Sequence, residues 1–423
     1  MFPIEKTESN TPDQYNNKNP RVLLVGYNGA NNTGSESRLL SIIQDVQWAL
    51  GPEVLLTIPT LNEEKLKRYV QEEKNLKIVP LPSIYFLGLR KLVKNHDFVL
   101  LIEGSCYMDT WTPALLWAFL WATRCAYKFN KPCLAYAVDA GDLSPLNKFL
   151  VKKEASKTSL IITRNYKSAE ILKSVGVTAP IKVTADCALN FETPPLNGII
   201  EYSPHQNKGL AGIAVVNFYL WPVVLRPFGK KKDEYKWPYY FSRSKKREML
   251  QKNLARSWAK QADHLVEIHH KNIALICMED LDEDLACQVL SYMKNKDNAC
   301  IFSSKDLNAS KMTGLLQNLD ILITSRYHAS ILSLSCQVPQ IAVGHDRRLE
   351  ILYEELEMDY DYFFKYNDPD LWEKVENKVD EILENPDIPK KLLESGFKSQ
   401  YLRSLQNRLR SIHPADRELC FLV

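Results

Sequence analysis

Three absences narrow the reading of this sequence before any motif is considered. The cysteines do not pair. Nine of them are scattered between positions 106 and 420, with no C-x-x-C and no regular spacing. That excludes a sequence-readable disulfide framework and a cysteine metal cage. Cys277 sits inside the apolar run Ile-Ala-Leu-Ile-Cys, and such residues read as buried free thiols of a reducing cytosol. Long hydrophobic runs are missing as well. The most apolar stretch, Thr110 to Thr123, is shorter than the roughly 20 residues needed to span a bilayer. It holds Trp111, Trp117 and Trp121 and reads as a buried helix. Finally, charge of one sign is lacking. Lys and Arg number 54 against 51 Asp and Glu, a formal net charge of +3. A balance this even gives no ground for nucleic acid as a partner.

What is present is a regular alternation. With 423 residues the chain exceeds one ordinary core, so two domains are expected. Met1 to Pro20 is polar without an apolar segment of the secretory-signal kind, and residues 1–20 read as a flexible tail. Continuous apolar runs follow at Val22–Val25, Val54–Ile58, Phe98–Ile102, Leu134–Val138 and Leu160–Thr163, separated by helical stretches. Strands without polar alternation indicate a parallel sheet covered on both faces. The periodicity lapses among Pro194, Pro195, Gly198 and Pro204 and restarts at Gly212–Val216. It continues through Ile273–Cys277, Ile321–Thr324 and Gln340–Val343. The expected architecture is α/β, with two Rossmann-like doubly wound domains facing a cleft. These are 21–195 and 210–385, with a linker at 196–209 and C-terminal helices at 386–423. Ligands of such folds bind at the carboxyl ends of the strands.

Four segments sit at such ends or beside them. Gly26 to Glu36 follows the first strand and opens a helix. Gly26, Gly29 and Gly34 allow a tight turn and close approach of the backbone to a ligand, and Asn32 and Glu36 line the same loop. Its glycine spacing is not that of a dinucleotide-binding G-x-G-x-x-G, and an ordinary turn capped by Ser35 is the plain alternative. Glu103 to Asp109 and Asp139 to Asp142 also follow strands. Asp109 and Asp142 are candidate bases there, or candidate helix caps. Ser325-Arg326-Tyr327-His328 is the strongest signal, since a strand ends at Thr324 and a helix begins near His328. The Arg326 fork suits phosphate or carboxylate, and His328 can exchange a proton near neutral pH. Arg164 and Arg348 are further candidate cations at strand ends. Last, residues 218–247 mix Trp221, Phe228, Trp237, Tyr239, Tyr240 and Phe241 with nine Lys or Arg, among them Lys230, Lys231, Lys232, Lys245, Lys246 and Arg247. They suit a peripheral membrane contact or a sugar-binding lip, and equally a basic loop with docked aromatics.

Taken together, Gly-x-x-Gly-x-x-Asn-x-Gly-x-Glu at 26–36, Arg164 with Asp186 downstream, and Ser-Arg-Tyr-His followed by Gln-Val-Pro-Gln-Ile-Ala-Val resemble the polysaccharide pyruvyltransferase family, over about Arg21 to Glu357. The resemblance implies a GT-B-like fold and an enzyme of exopolysaccharide or cell-envelope biosynthesis. It implies phosphoenolpyruvate as co-substrate, with no resident cofactor and no metal. The pyruvyl group would pass to hydroxyls of a sugar or lipid-linked glycan, releasing phosphate, in the cytoplasm or at the inner face of its membrane. On the matching positions, Arg164 and Arg326 would hold the donor with Ser325 and Arg348 beside them. His328 would act as general acid, and Asp142 or Asp109 would deprotonate the acceptor. A GT-B glycosyltransferase using a nucleotide sugar, or a non-catalytic relative, would share the architecture.

Overall fold

The computed structural model describes residues 19–193, 208–220, 222–344 and 347–409. Most of the expected tail and linker, the end of the C-terminal helical segment, and Trp221 lie outside the described residues. The N-terminal unit carries strands β1 (Arg21–Val25), β2 (Leu55–Thr60), β3 (Leu76–Pro80), β4 (Phe98–Leu101), β5 (Cys133–Val138), β6 (Leu160–Thr163) and β7 (Ile181–Val183). They form one parallel sheet in the order β3-β2-β1-β4-β5-β6-β7. Helices α1 (Thr33–Leu50), α2 (Glu63–Lys67), α3 (Phe86–Lys94), α4 (Pro113–Lys128), α5 (Pro145–Ala155) and α6 (Tyr166–Val175) connect them. Two separate apolar cores result. Leu23, Val99 and Leu101 pack with α4 on one face, while Val22, Leu24 and Leu100 pack with α1 on the other. This is why the strands read as unbroken apolar runs.

The C-terminal unit repeats the plan. Strands β8 (Leu210–Ala214), β12 (Asn272–Cys277), β13 (Ala299–Ser303), β14 (Ile321–Thr324), β15 (Gln340–Gly344) and β16 (Phe363–Lys365) lie in the order β13-β12-β8-β14-β15-β16. Their helices are α7 (Lys245–Glu267), α8 (Glu283–Tyr292), α9 (Ala309–Gln317), α10 (Tyr327–Ser333), α11 (Arg347–Glu355), α12 (Asp359–Tyr362) and α13 (Leu371–Glu384). Both sheets are doubly wound, as the sequence leads one to expect. The order of strands reverses between β1 and β4 in one sheet and between β8 and β14 in the other. Connections leave a switch point in opposite directions, so a crevice opens there at the strand ends. The loops after β1, β4 and β14 are the segments that the sequence marks out.

Two features go beyond the sequence reading. The last described helix, α14 (Asp387–Leu409), returns to the N-terminal unit. Arg403 donates to the carbonyl of Thr184, Ser404 to Asn190 and Asn407 to the carbonyl of Ala185. Within that basic, aromatic stretch, residues 222–241 are not a loose loop. They form an antiparallel sheet of β9 (Val223–Leu225), β10 (Glu234–Lys236) and β11 (Tyr239–Phe241). That sheet crosses to the other domain. Val223 N–H bonds the carbonyl of Trp111 at 2.9 Å, Lys236 Nζ that of Leu61 at 2.6 Å, and Tyr239 Oη that of Ser83 at 3.3 Å. No described helix is long and apolar enough to cross a membrane.

Candidate functional site

A cavity of about 190 Å³ lies between the two units. Gly26, Asn32, Gly34 and Ser35 wall it from the first loop, Glu103 and Ser105 from the second, and Ser325 to His328 and Arg348 from the C-terminal unit. The small sheet roofs it through Val223, Tyr235 and Tyr239. The first turn of α1 is therefore a wall of the cavity. Asn32 caps it, its side chain accepting from Ser35 N–H at 3.0 Å. Thr33 N–H already donates to the Met278 carbonyl at 2.9 Å, so what favours an anion there is mainly the positive end of an 18-residue helix.

His328 is held from two sides. Its Nε2 stands 3.6 Å from Asp186 Oδ2, too long for a hydrogen bond but close enough for strong charge interaction. The opposite edge, with Nδ1, lies against Gly34, where even a Cβ would overlap the ring. Asp186 also binds Arg38 Nη1 at 2.9 Å and Arg164 Nη1. Burial pushes the Asp186 carboxyl up, but the two guanidiniums outweigh it and hold it well below the usual range. Burial pulls His328 down. Asp186 opposes that shift and Arg164 and Arg38 reinforce it, so the imidazole stays below its ordinary value and rests neutral at pH 7.

The other expected residues divide. Arg326 reaches the cavity, but it is already engaged. Its Nε bonds Asp282 Oδ2 at 2.9 Å, its Nη2 bonds Asp282 Oδ1, and its Nη1 lies 3.3 Å from Glu279. An anionic ligand must compete with these carboxylates or share the fork with them. Arg348 bridges the cleft, donating to Ser105 Oγ at 2.9 Å and lying over the Trp111 ring at 5.1 Å. Ser325 lines the cavity, and its Oγ has no hydrogen-bond partner among the described residues.

Four expectations need correction. Arg164 does not wall the cavity. Its side chain is 0% exposed, saturated by Asp139 and Asp186, and covered by the Tyr327 ring 4.1 Å away. It holds Asp186 in place rather than gripping a ligand. Glu36 points away from the cleft. Its Oε2 accepts Ala309 N–H at 3.1 Å, capping α9 of the other unit. Gly29 is needed for backbone shape, with φ of 76° and its α-hydrogen side against the Asn62 carbonyl. Asp109 and Asp142 are not cavity residues. Asp109 accepts from Ser144 N–H, Ser144 Oγ and Asn147 Nδ2 at the start of α5, the capping alternative. Asp142 is exposed and lines a separate groove with Lys148, Lys152 and Arg347. Asp346, which precedes Arg347 in the sequence, lies outside the described residues.

The cavity's carboxylates are Glu103 and Glu279. Glu103 Oε2 accepts Tyr27 N–H at 3.2 Å. Burial raises Glu279, against the pull of Arg326. Glu279 and Asp282 follow β12 just as the marked loops follow their strands, so position alone could have revealed them. Arg38, inside a helix and far in sequence from Asp186, carries no such signal.

Solved structures with the same arrangement share little sequence identity with this chain. The S. aureus MnaA–UDP co-structure aligns with a TM-score of 0.62 at 10% identity, over 95% of this chain and 97% of that one. A putative UDP-N-acetylglucosamine 2-epimerase from Listeria monocytogenes gives 0.59 at 11% identity, over 96% and 97%. Anabaena Alr3699/HepE in complex with UDP-glucose gives 0.56 at 11%, over 93% and 98%. At this identity they establish the GT-B-like fold and nothing finer. No curated protein matches the sequence. The family model for polysaccharide pyruvyl transferase matches residues 32–347. This stretch contains the β1–α1 turn from Asn32, Asp186 and the Ser325–His328 segment, and the chain belongs to the polysaccharide pyruvyl transferase family.

Proposed function

We propose that this transferase moves the pyruvyl group of phosphoenolpyruvate onto a sugar hydroxyl and releases phosphate. The observation that carries this reading is the setting of His328. A titratable imidazole lies against the first turn of α1 in a cavity that the side chains of Arg326 and Arg348 also line. Phosphoenolpyruvate brings a phosphate and a carboxylate, and this cleft offers a helix N-terminus and two cations for them. The donor's charge raises His328 from its depressed resting value. The imidazolium then protonates C3 of the enol, making C2 electrophilic. The acceptor oxygen attacks C2 and gives its proton to a carboxylate, the C2–O bond to phosphate breaks as phosphate leaves, and a second hydroxyl of the same sugar adds to C2 and returns its proton to His328, closing a pyruvyl ketal. With Asp109 and Asp142 outside the cavity, Glu279 suits that base, because burial has raised its pKa toward the working range.

The far side of the cavity is apolar. Leu81, Tyr85, Leu89, Leu115 and Phe119 line it, and Val223 closes it. Neither phosphoenolpyruvate nor a sugar needs such a wall, which suits the hydrocarbon part of a lipid-linked acceptor. The roofing sheet leaves Phe228 86% and Trp237 53% exposed beside Lys230, Lys231 and Lys232. That is a fitting anchor for an acceptor presented at a membrane surface.

The test is incubation with phosphoenolpyruvate and an array of sugars and glycolipids, followed by mass spectrometry for the added pyruvyl group and a phosphate assay. His328→Gln and Glu279→Gln should abolish product while circular dichroism stays unchanged. Normal turnover in both would sink the assignment. Thermal shifts with UDP- and GDP-sugars but none with phosphoenolpyruvate would replace it by glycosyl transfer.

A further inference from the structure

Outside the cleft, one group of side chains has metal-binding chemistry and no part in the proposed reaction. His264 lies in the last turn of α7. The chain then leaves the helix through a closing turn, with Lys271 N–H bonded to the carbonyl of Leu265 and His270 at a φ of 54°. That turn brings His269 back beside His264, their ring centroids 5.6 Å apart. Asp380 of α13 meets both. Its Oδ1 stands 2.7 Å from His264 Nε2 and 2.6 Å from His269 Nε2. All three side chains are partly buried.

We infer that His264, His269 and Asp380 bind a divalent transition-metal ion, best satisfied by Zn²⁺, which fastens α13 to α7. Two imidazole nitrogens and a carboxylate oxygen are zinc-type ligands, and water completes four-coordination. Bonds of about 2.0–2.2 Å in a tetrahedral site need ligand atoms roughly 3.3 Å apart. Opening the present contacts by some tenths of an ångström achieves that, within the freedom of a carboxylate that is 37% exposed. A second carboxylate supports the inference. Glu376 Oε1 lies 3.7 Å from His264 Nδ1, the nitrogen not aimed at Asp380. At that distance there is no hydrogen bond yet, but a small rotamer change would form one, and a carboxylate behind a ligating histidine orients its ring and strengthens it as a ligand. Glu376 and Asp380 sit one turn apart on α13, so a single helix face supplies both the ligand and its support. Among the described residues this is the one group of at least three His, Cys, Asp or Glu side chains whose ligand atoms converge this closely. No sequence motif announces it, since Asp380 lies 116 residues from His264.

The experiment is calorimetric titration of metal-free full-length protein with Zn²⁺, and with Co²⁺ read by its visible absorption. One equivalent of Zn²⁺ should bind, raise the melting temperature, and leave tetrahedral-type Co²⁺ bands. His264→Ala and His269→Ala should each remove the binding and the thermal shift, and Glu376→Gln should weaken binding roughly tenfold to a hundredfold. His270→Ala, a neighbouring exposed histidine, should change nothing. If the double variant His264→Ala/His269→Ala binds Zn²⁺ as the parent does, or the parent takes up none, the inference falls and the cluster is a hydrogen-bonded clasp only.

Discussion

Gly34 and His328 share one space across the cleft: a Cβ on the glycine would lie inside the imidazole ring. The missing side chain on α1 is thus what lets the C-terminal domain press its histidine against the first turn of the N-terminal domain. Gly34→Ala should separate them. Overpacking costs about 1–3 kcal/mol, so a lowered melting temperature is expected together with a loss of turnover. Turnover equal to the parent would show that the contact is incidental.

The depressed pKa of His328 has a consequence for donor binding. The imidazole is neutral in the free protein, and a bound dianion favours its charged form. Binding then takes up a proton, and affinity strengthens as pH falls toward the free protein's depressed pKa. Calorimetry in buffers of different ionisation enthalpy measures the uptake directly. It should shrink in His328→Gln, and equal uptake in both proteins would assign the proton elsewhere.

Much of this arrangement was legible in the sequence. The strands before the marked loops are uninterrupted Val, Leu and Ile, and β1, β4 and β14 appear where the apolar runs stand. The edge strand β3 does not stand out as an apolar run, because Lys77 interrupts its Leu-Lys-Ile-Val-Pro and only one face is covered. Strands β9 to β11 hold three residues each, too few for a period. The site was harder. Sequence places Arg164 at a strand end but cannot say that Asp139, Asp186 and Tyr327 will enclose it. Nor can it choose between cap and base for Asp109, because both roles use the same carboxylate in the same place.

Glu36 should make the domain junction sensitive to alkali. It is buried, its Oε2 takes the Ala309 N–H, and its Oε1 has no hydrogen-bond partner among the described residues. Burial raises it from 4.5 to about 8, against the pull of Arg68 and of that N–H. A carboxyl with a raised folded value stabilises the fold fully below the unfolded value, and that stability is lost as pH rises through the folded one. The window is pH 4.5 to 8, with a total of roughly 5 kcal/mol at most at 1.36 kcal/mol per unit. Glu36→Gln, which copies the neutral form, should match the parent near pH 5 and melt above it at pH 8. A variant less stable than the parent at both pH values would mean that the charged form is the native one.

The two arginines expected at one ligand should behave oppositely. Arg164 is enclosed with Asp139 and Asp186. Removing one partner of a buried ion network leaves uncompensated charge and costs about 3–5 kcal/mol. Arg164→Ala should therefore lower the denaturation midpoint sharply, and any loss of activity will follow unfolding. Arg348 lines the cavity, bonded to a serine of the other domain. Arg348→Ala should leave the midpoint nearly unchanged and raise KM for the donor. Arg348→Lys should recover little of that, since an ammonium cannot reproduce a planar fork over Trp111. A stable, folded Arg164→Ala protein with a raised donor KM would return that residue to the ligand and reopen the cleft behind Tyr327. That outcome is physically specific, because Arg164 reaches the cavity only if the Tyr327 ring swings aside and Asp139 is left without its cation.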